Sequence, residues 1–313
     1  MKRPYLSIVM ASRNDNHGGD LNERTQACIN SLRQQSRELK MPIEVVMVDW
    51  NPPDDKPPLH EIIDYDGLLF HSIIVPPEIH QRYKLSGKLP LYQMIAKNVG
   101  VRRAHGYFIL CTNVDIFFSN ELMKEISMKK LKKNLLYRAY RYDTQRGVRS
   151  LDGIENKLIR INLSRNDELC TNACGDFQMM HRDNWHDLRG YYEGDLFSIH
   201  LDSLFEYHAY YNGYMESIFD PPMVTYHVEH DGGWVPGVEK ISSYNRMNDN
   251  EIKKLSYKDF LEIVAVMARK EPPIHYNKES WGLIDDELQE LINGKNYRVS
   301  ETERDLRRQV VRT

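Results

Sequence analysis

The pattern of apolar and polar positions in the first half of the chain is typical of alternating strands and helices. Short apolar runs at 5–10, 43–48 and 107–112 have the length of buried strands, and 22–39 places apolar residues on one face of a helix. Strand, helix and strand at this spacing form a βαβ unit with a parallel strand pair. The pattern therefore predicts an α/β fold with a mixed, mainly parallel sheet flanked by helices.

The remaining pattern predicts further strands, helices and turns, in chain order: strand 70–75, helix 91–104, helix 121–133, strand 135–142, a hairpin excursion over 143–169, strand 174–181, a turn at 182–185, helix 202–212 and strand 223–230. From residue 238 onward the composition changes to charged segments with little apolar content. We therefore expect 238–313 to form a charged, mainly helical C-terminal extension.

Polar side chains follow the predicted parallel strands. Asn14 and Asp15 come after the first strand, Asp49 after the second, and Asn113 and Asp115 after the strand at 107–112. Sheets of this kind bind ligands at the carboxyl ends of their strands. An Asp at the end of a buried strand is costly unless a divalent cation or a hydrogen-bond network pairs with it. The alternative is a turn or helix-cap role for each of these side chains.

Net charge, the length of the apolar runs and the cysteine spacing exclude several classes of protein. A net charge of -3 over 313 residues provides no overall attraction to nucleic acid, so we expect no nucleic-acid partner. No apolar run reaches the length of a membrane span, and the run at 6–11 is too short for a secretory signal. The widely spaced cysteines favour buried free thiols in a reducing, cytoplasmic setting over a zinc knuckle: Cys28, Cys111, Cys170 and Cys174.

An ordered set of short motifs resembles a known family. The polar loop after the first strand is followed by Asp49, by Lys-Asn-Val-Gly at 97–100, by Ala-His-Gly at 104–106, and by Asn113-Val114-Asp115. In this order they resemble the inverting, nucleotide-sugar-dependent glycosyltransferases of the GT-A fold, over about residues 5–235. The resemblance implies a catalytic domain at 1–237, with a nucleotide-binding half at 1–118 and an acceptor-side half at 119–237.

The resemblance also implies a donor site with a Mn²⁺ or Mg²⁺ ion. Asp115 takes the place of the family's metal-binding Asp, whereas Asn113 replaces the first Asp of the Asp-x-Asp motif and brings no charge. A hard divalent cation would neutralise the leaving diphosphate through oxygen ligands. The donor nucleotide and its sugar are expected to contact these polar residues: Ser12, Asn14, Asp49, Asn98, Asn113 and Asp176.

A second motif is similar to the acceptor side of the family. Gly-Tyr-Tyr-Glu at 190–193 precedes Asp202 at the start of a helix. In inverting members the corresponding Asp is the general base that takes the proton of the acceptor hydroxyl. A helix N-terminus keeps such a carboxylate charged. The alternative is a plain N-cap role for Asp202.

Two histidines end the last predicted strand. In many metal-dependent members of the family a His after this strand completes the metal shell, and both His227 and His230 are candidates here. Strand alternation places them on opposite faces, with His227 directly after the apolar run. A structural role for each is the alternative.

The expected function is the transfer of a sugar from a nucleoside-diphosphate sugar, a UDP-sugar in particular, to a hydroxyl of a glycan, lipid-linked or protein acceptor. A non-catalytic GT-A-like protein and a retaining transferase are the alternatives. A nucleotidyltransferase would be expected to carry a Gly-rich phosphate loop, which 12–15 lacks. The basic segment 304–312 is expected either to touch an anionic membrane surface or to be a frayed tail.

Overall fold

The computed structural model describes residues 3–163, 169–230 and 252–308. The strands are β1 (Leu6–Ser12), β2 (Ile43–Trp50), β3 (Leu69–Val75), β4 (Phe108–Cys111), β5 (Ile116–Phe118), β6 (Leu135–Thr144), β7 (Leu158–Asn162), β8 (Gln178–His181), β9 (Met215–Val228), β10 (Gln289–Ile292) and β11 (Lys295–Asn296). The helices are α1 (Leu21–Glu38), α2 (Leu59–Ile62), α3 (Pro77–His80), α4 (Gln93–Arg103), α5 (Asn120–Ser127), α6 (Arg182–Leu188), α7 (Leu201–Tyr211), α8 (Tyr257–Met267) and α9 (Glu301–Arg308).

One mixed sheet runs through the described part of the chain, in the order β11-β10-β3-β2-β1-β4-β8-β6-β9-β5, with β7 paired to β6. Strands β3, β2, β1 and β4 are mutually parallel. Every residue of β1 and β2 is buried because helices cover both faces. Val9 and Val46 face a core shared with α4, and Ile8 and Val45 face a core shared with α1. The predicted α/β architecture is confirmed.

The antiparallel part of the sheet positions the candidate site. Strand β5 pairs antiparallel with β9, so that Ile116 lies opposite His227. The Val228 amide donates to the Asp115 carbonyl at 3.2 Å. The end of β9 is therefore hydrogen-bonded directly to the residue that follows the Asn113-Val114 turn.

Several predicted elements have different bounds in the structure. The expected turn at 182–185 is the start of helix α6, and β9 begins at Met215, well before residue 223. Helix α5 ends at Ser127 rather than near 133, since Lys129 adopts a positive φ of 56° that stops the helix. The excursion after β6 is a hairpin with β7, as predicted.

The C-terminal residues form strands of the sheet as well as the predicted helices. Helices α8 and α9 are present, but β10 also pairs antiparallel with β3 and extends the sheet. Four apolar residues of this segment are buried in the core that also contains α4: Phe260, Met267, Ile274 and Trp281. The expected boundary at 237/238 lies outside the described residues.

Two further predictions concern membranes and thiols. Among the described helices, none combines the length and apolar character needed to cross a membrane. All four cysteines are buried and free, as predicted.

Candidate active site

Asp115 and the two predicted histidines lie together at the carboxyl edge of the sheet. A carboxylate oxygen of Asp115 and one nitrogen each of His227 and His230 all lie within 4.8 Å of one another. His230 Nε2 is 3.0 Å from Asp115 Oδ2. Asp115 and His227 are only 7% and 6% exposed, so this cluster is shielded from most solvent.

Arg24 is a site residue that the sequence analysis missed. Its guanidinium, fully buried on α1, donates from Nη1 to Asp115 Oδ2 at 2.7 Å. Burial raises the pKa of Asp115, but the hydrogen bond from His230 and the electrostatic influence of the two histidines and Arg24 outweigh it and hold that pKa well below its usual range. Asp115 is therefore a carboxylate at neutral pH.

The cluster fits a divalent cation in residue type and spacing. His227 Nδ1 lies 3.2 Å from a carboxylate oxygen of Asp143, which leaves Nε2 as the metal-binding nitrogen of that ring. A carboxylate behind a His ligand is the usual outer-shell arrangement of metal sites. However, Arg24 and His230 both contact Asp115 Oδ2, so a cation there would have to share or replace these bonds.

A network of charged residues extends from the histidine cluster toward Asn113. Arg141 Nε donates to Asp143 at 2.7 Å, and its Nη1 donates to Asp176 at 2.9 Å. The other oxygen of Asp176 accepts from Asn113 Nδ2 at 2.7 Å. Burial raises the pKa of Asp143, but its bonds to His227 and Arg141 lower it to about 2. These contacts fix the predicted sugar-binding Asp176 beside the Asn-x-Asp motif.

Asp202 is joined to the same region through Gly175. Its Oδ2 accepts from the Gly175 amide at 3.0 Å, and the Gly175 carbonyl accepts from Lys97 Nζ at 3.0 Å. Lys97 is fully buried, and burial lowers the pKa of its ammonium. Because Asp176 follows Gly175 directly, two consecutive residues bond Asp202 and Asn113.

Ser12, Asn14 and Asp49 form a second group at the ends of β1 and β2. Ser12 lies opposite Asp49 in the parallel ladder. Asp49 Oδ2 accepts from the Leu59 amide at 2.7 Å, while its Oδ1 has no hydrogen-bond partner within the described part of the chain. Asn14 Nδ2 donates to the Pro57 carbonyl at 2.8 Å. Burial raises the pKa of Asp49 to about 6.

The loop between β1 and α1 connects the two groups. Arg24 Nη2 donates to the carbonyls of His17 and Gly19 at 2.7 and 2.9 Å. The His17 ring lies 6.1 Å from the His230 ring, centroid to centroid. Arg24 therefore holds this loop and Asp115 in one arrangement.

Asn98 does not join either group. It is fully buried on α4, where its Oδ1 accepts from the Tyr191 amide at 2.8 Å and its Nδ2 donates to the Tyr191 carbonyl and to Glu193. These bonds tie α4 to the 190–193 turn. The arrangement favours a structural role for Asn98 over the predicted contact with the donor.

The sequence pattern contains evidence for two site residues that were not predicted, Arg141 and Asp143. Arg141 and Asp143 are two positions apart at the end of β6, so strand alternation places them on one face. Arg24 had no such signal, because a charged residue in an amphipathic helix normally belongs to the solvent face.

Comparisons with known proteins identify the fold. No protein-family model matches this chain, and no curated protein matches it. A crystal structure of S. aureus TarS 1–349 in complex with UDP-GlcNAc matches with a TM-score of 0.55 and 15% identity, over 86% of this chain and 68% of that one. A second structure of TarS 1–349 matches with a TM-score of 0.55 and 14% identity, over 86% and 67% of the two chains. This chain therefore has an α/β fold like that of TarS 1–349.

Proposed function

We propose that this protein is a metal-dependent glycosyltransferase that uses a nucleoside-diphosphate sugar, most simply a UDP-sugar. The observation that carries the proposal is the convergence of Asp115, His227 and His230 at the carboxyl edge of the sheet. The TarS structure of similar fold was determined with UDP-GlcNAc, which supports a UDP-sugar as the donor.

The donor would lie across the two groups of polar residues. Ser12, Asn14 and Asp49 are candidates for the nucleoside, since they lie at the ends of β1 and β2. Asn113 and Asp176, fixed by their mutual hydrogen bond, are candidates for ribose and sugar hydroxyls. A Mn²⁺ or Mg²⁺ ion held by Asp115, His227 and His230 would neutralise charge on the leaving diphosphate.

Asp202 is the proposed general base for a transfer with inversion. The Gly175 amide orients one oxygen of its carboxylate. That carboxylate would accept the proton of the acceptor hydroxyl as its oxygen attacks the anomeric carbon.

A second candidate is a GT-A-like protein that binds a nucleotide-sugar without a metal or without transfer. Arg24 favours it, because a fixed guanidinium already neutralises Asp115. Asn113 also favours this candidate, because it lacks the charge of the first Asp in the family's motif. Metal dependence of turnover separates the two candidates.

The acceptor remains a hydroxyl of a glycan, lipid-linked or protein substrate, in a cytoplasmic setting. The proposed membrane contact of the basic C-terminal segment is weakened by Arg307, which is buried in ion pairs with Glu290 and Glu303. Four of the described tail residues from 304 onward are exposed, and one of them is acidic: Arg304, Asp305, Leu306 and Arg308.

The direct test is a thermal-shift screen with UDP-, GDP- and dTDP-sugars, with and without Mn²⁺, followed by measurement of released nucleotide. We expect one nucleotide class to stabilise the protein only when Mn²⁺ is present, and slow hydrolysis of that donor without an acceptor. Stabilisation that is independent of metal, without hydrolysis, would favour the second candidate. No nucleotide binding under any condition would contradict both.

A further inference from the structure

A second group of metal-binding residue types lies at the opposite end of the sheet. Glu44 is near the start of β2, His71 is near the start of β3, and His105 precedes β4. Their ligand atoms lie within 4.8 Å of one another. Nothing in the proposed glycosyl transfer uses these residues, because the donor site lies at the carboxyl ends of the same strands.

The two imidazoles have the same orientation toward one carboxylate. His105 Nδ1 lies 2.5 Å from Glu44 Oε1, and His71 Nδ1 lies 3.6 Å from the same atom. The outer nitrogens face two further carboxylates: His71 Nε2 lies 2.9 Å from Glu290, and His105 Nε2 lies 3.2 Å from Glu303. Glu44 Oε2 accepts a hydrogen bond from the Ser7 hydroxyl.

We propose that Glu44, His71 and His105 bind a divalent transition metal ion of the zinc class, through Glu44 Oε1 and the two Nδ1 atoms. Imidazole nitrogen and carboxylate oxygen are established zinc ligands. Ligand histidines of metal sites almost always donate their other ring N–H to an oxygen acceptor. Both rings have such an acceptor here, Glu290 for His71 and Glu303 for His105.

His71 provides the second, independent observation. It is fully buried, and its Nδ1 has no hydrogen-bond partner in the described part of the chain although it is aimed at Glu44 Oε1. The His71 and His105 rings also stack, with centroids 5.4 Å apart. A divalent ion between Glu44 Oε1 and the two Nδ1 atoms would give His71 Nδ1 a partner.

The proposed metal site is accessible from solvent through His105, and it adjoins β10 and α9. His105 is about a quarter exposed, with 27% of its side chain accessible, so an ion can enter from its side. The outer carboxylates belong to β10 and α9, where Arg307 binds both Glu290 and Glu303. An ion that fixes His71 and His105 would therefore strengthen the attachment of β10 and α9 to the parallel core.

The test is zinc binding by the full chain, purified without a histidine tag and stripped of metal. The His227→Ala/His230→Ala variant is used throughout, so that the candidate active site cannot account for bound zinc. We expect one zinc ion per chain by elemental analysis, a higher Tm with zinc than without, and an X-ray absorption spectrum with two imidazole ligands. Because this background lacks the active-site histidines, the outcome is independent of the proposed function.

Two further variants locate the ion. Glu303→Gln leaves all three ligands in place but removes an outer carboxylate, and it is expected to weaken zinc binding by about 10- to 100-fold. His200→Ala, which removes a histidine from outside both clusters, is expected to leave zinc affinity unchanged. Absence of stoichiometric zinc in the background variant, or equal zinc affinity in Glu303→Gln and His200→Ala, would overturn the proposal.

Discussion

Arg24 Nη1 lies 2.7 Å from Asp115 Oδ2, and both side chains are nearly completely buried. A cationic side chain from α1 is thus in direct contact with the carboxylate that is the best candidate for a metal ligand. The pair also fixes the loop between β1 and α1, because Arg24 binds the His17 and Gly19 carbonyls. Charge at this site is therefore set jointly by Arg24, the two histidines and any bound cation.

Asp115→Asn is expected to abolish metal-dependent nucleotide binding and to destabilise the protein. Removal of one partner from a buried ion pair leaves the Arg24 charge uncompensated, which costs about 3–5 kcal/mol of unfolding free energy. Urea unfolding measures the loss. The double variant Arg24→Met/Asp115→Asn should recover most of the stability but not the metal dependence, whereas Asp66→Asn, at an exposed position, should change neither. Full Mn²⁺-dependent binding by Asp115→Asn would contradict the assignment.

Asp202→Asn tests the general base. An amide still accepts from the Gly175 N–H but cannot take a proton, so the rate of transfer should fall by about 100- to 10,000-fold. The donor dissociation constant, measured by titration calorimetry, should stay close to that of the parent. Near-normal transfer by this variant would favour a retaining mechanism or another base.

Gly175→Ala tests the positioning of that base without changing its chemistry. A Cβ at residue 175 would lie 2.7 Å from Asp202 Oδ2, so the carboxylate must move. Misplacement of a catalytic group on this scale lowers kcat by about 100-fold, with KM for the donor little changed. Gly87→Ala is the matched control, because no atom lies within 4 Å of the added Cβ. Equal kcat in the two variants would count against a catalytic role for Asp202.

The raised pKa of Asp49 leads us to expect a specific dependence of protein stability on pH. Its pKa is raised from the ordinary 3.8 to about 6, chiefly by burial, so the folded state binds this proton more tightly than the unfolded state. The corresponding stabilisation is complete below about pH 4 and is lost as the pH rises to about 6, to a total of about 3 kcal/mol. Asp49→Asn cannot ionise. Its unfolding free energy, relative to the parent, should therefore rise by about that amount between pH 4 and 7, and parallel pH curves would contradict the prediction.

Much of the fold of residues 5–118 could be predicted from the sequence. Strands β1 and β2 are continuous apolar runs, and the helix between them has a clear apolar face. The polar residues at their carboxyl ends follow from topology alone. The proximity of Asp115 to His227 and His230 could be predicted from the resemblance to the family, although it depends on the pairing of β5 with β9.

The parts that could not be predicted depend on long-range pairing. Strand β10 is four residues long and half polar, so no local pattern distinguishes it from a loop. Arg24 and Glu44 are charged residues in elements where charge normally indicates a solvent-facing position. Their burial depends on partners remote in sequence: Asp115 for Arg24, and His71 and His105 for Glu44.

The pairing of β10 with β3 has a consequence for biosynthesis. During translation, β3 can pair with β2 as soon as both strands have been made. Its other edge can pair with β10 only after residues 289–292, which are synthesised more than two hundred residues later. Until then β3 is an open edge that can pair with another chain. A nascent or truncated chain that lacks β10 is therefore the form most prone to intermolecular strand pairing, and a chaperone that binds during synthesis would protect this edge.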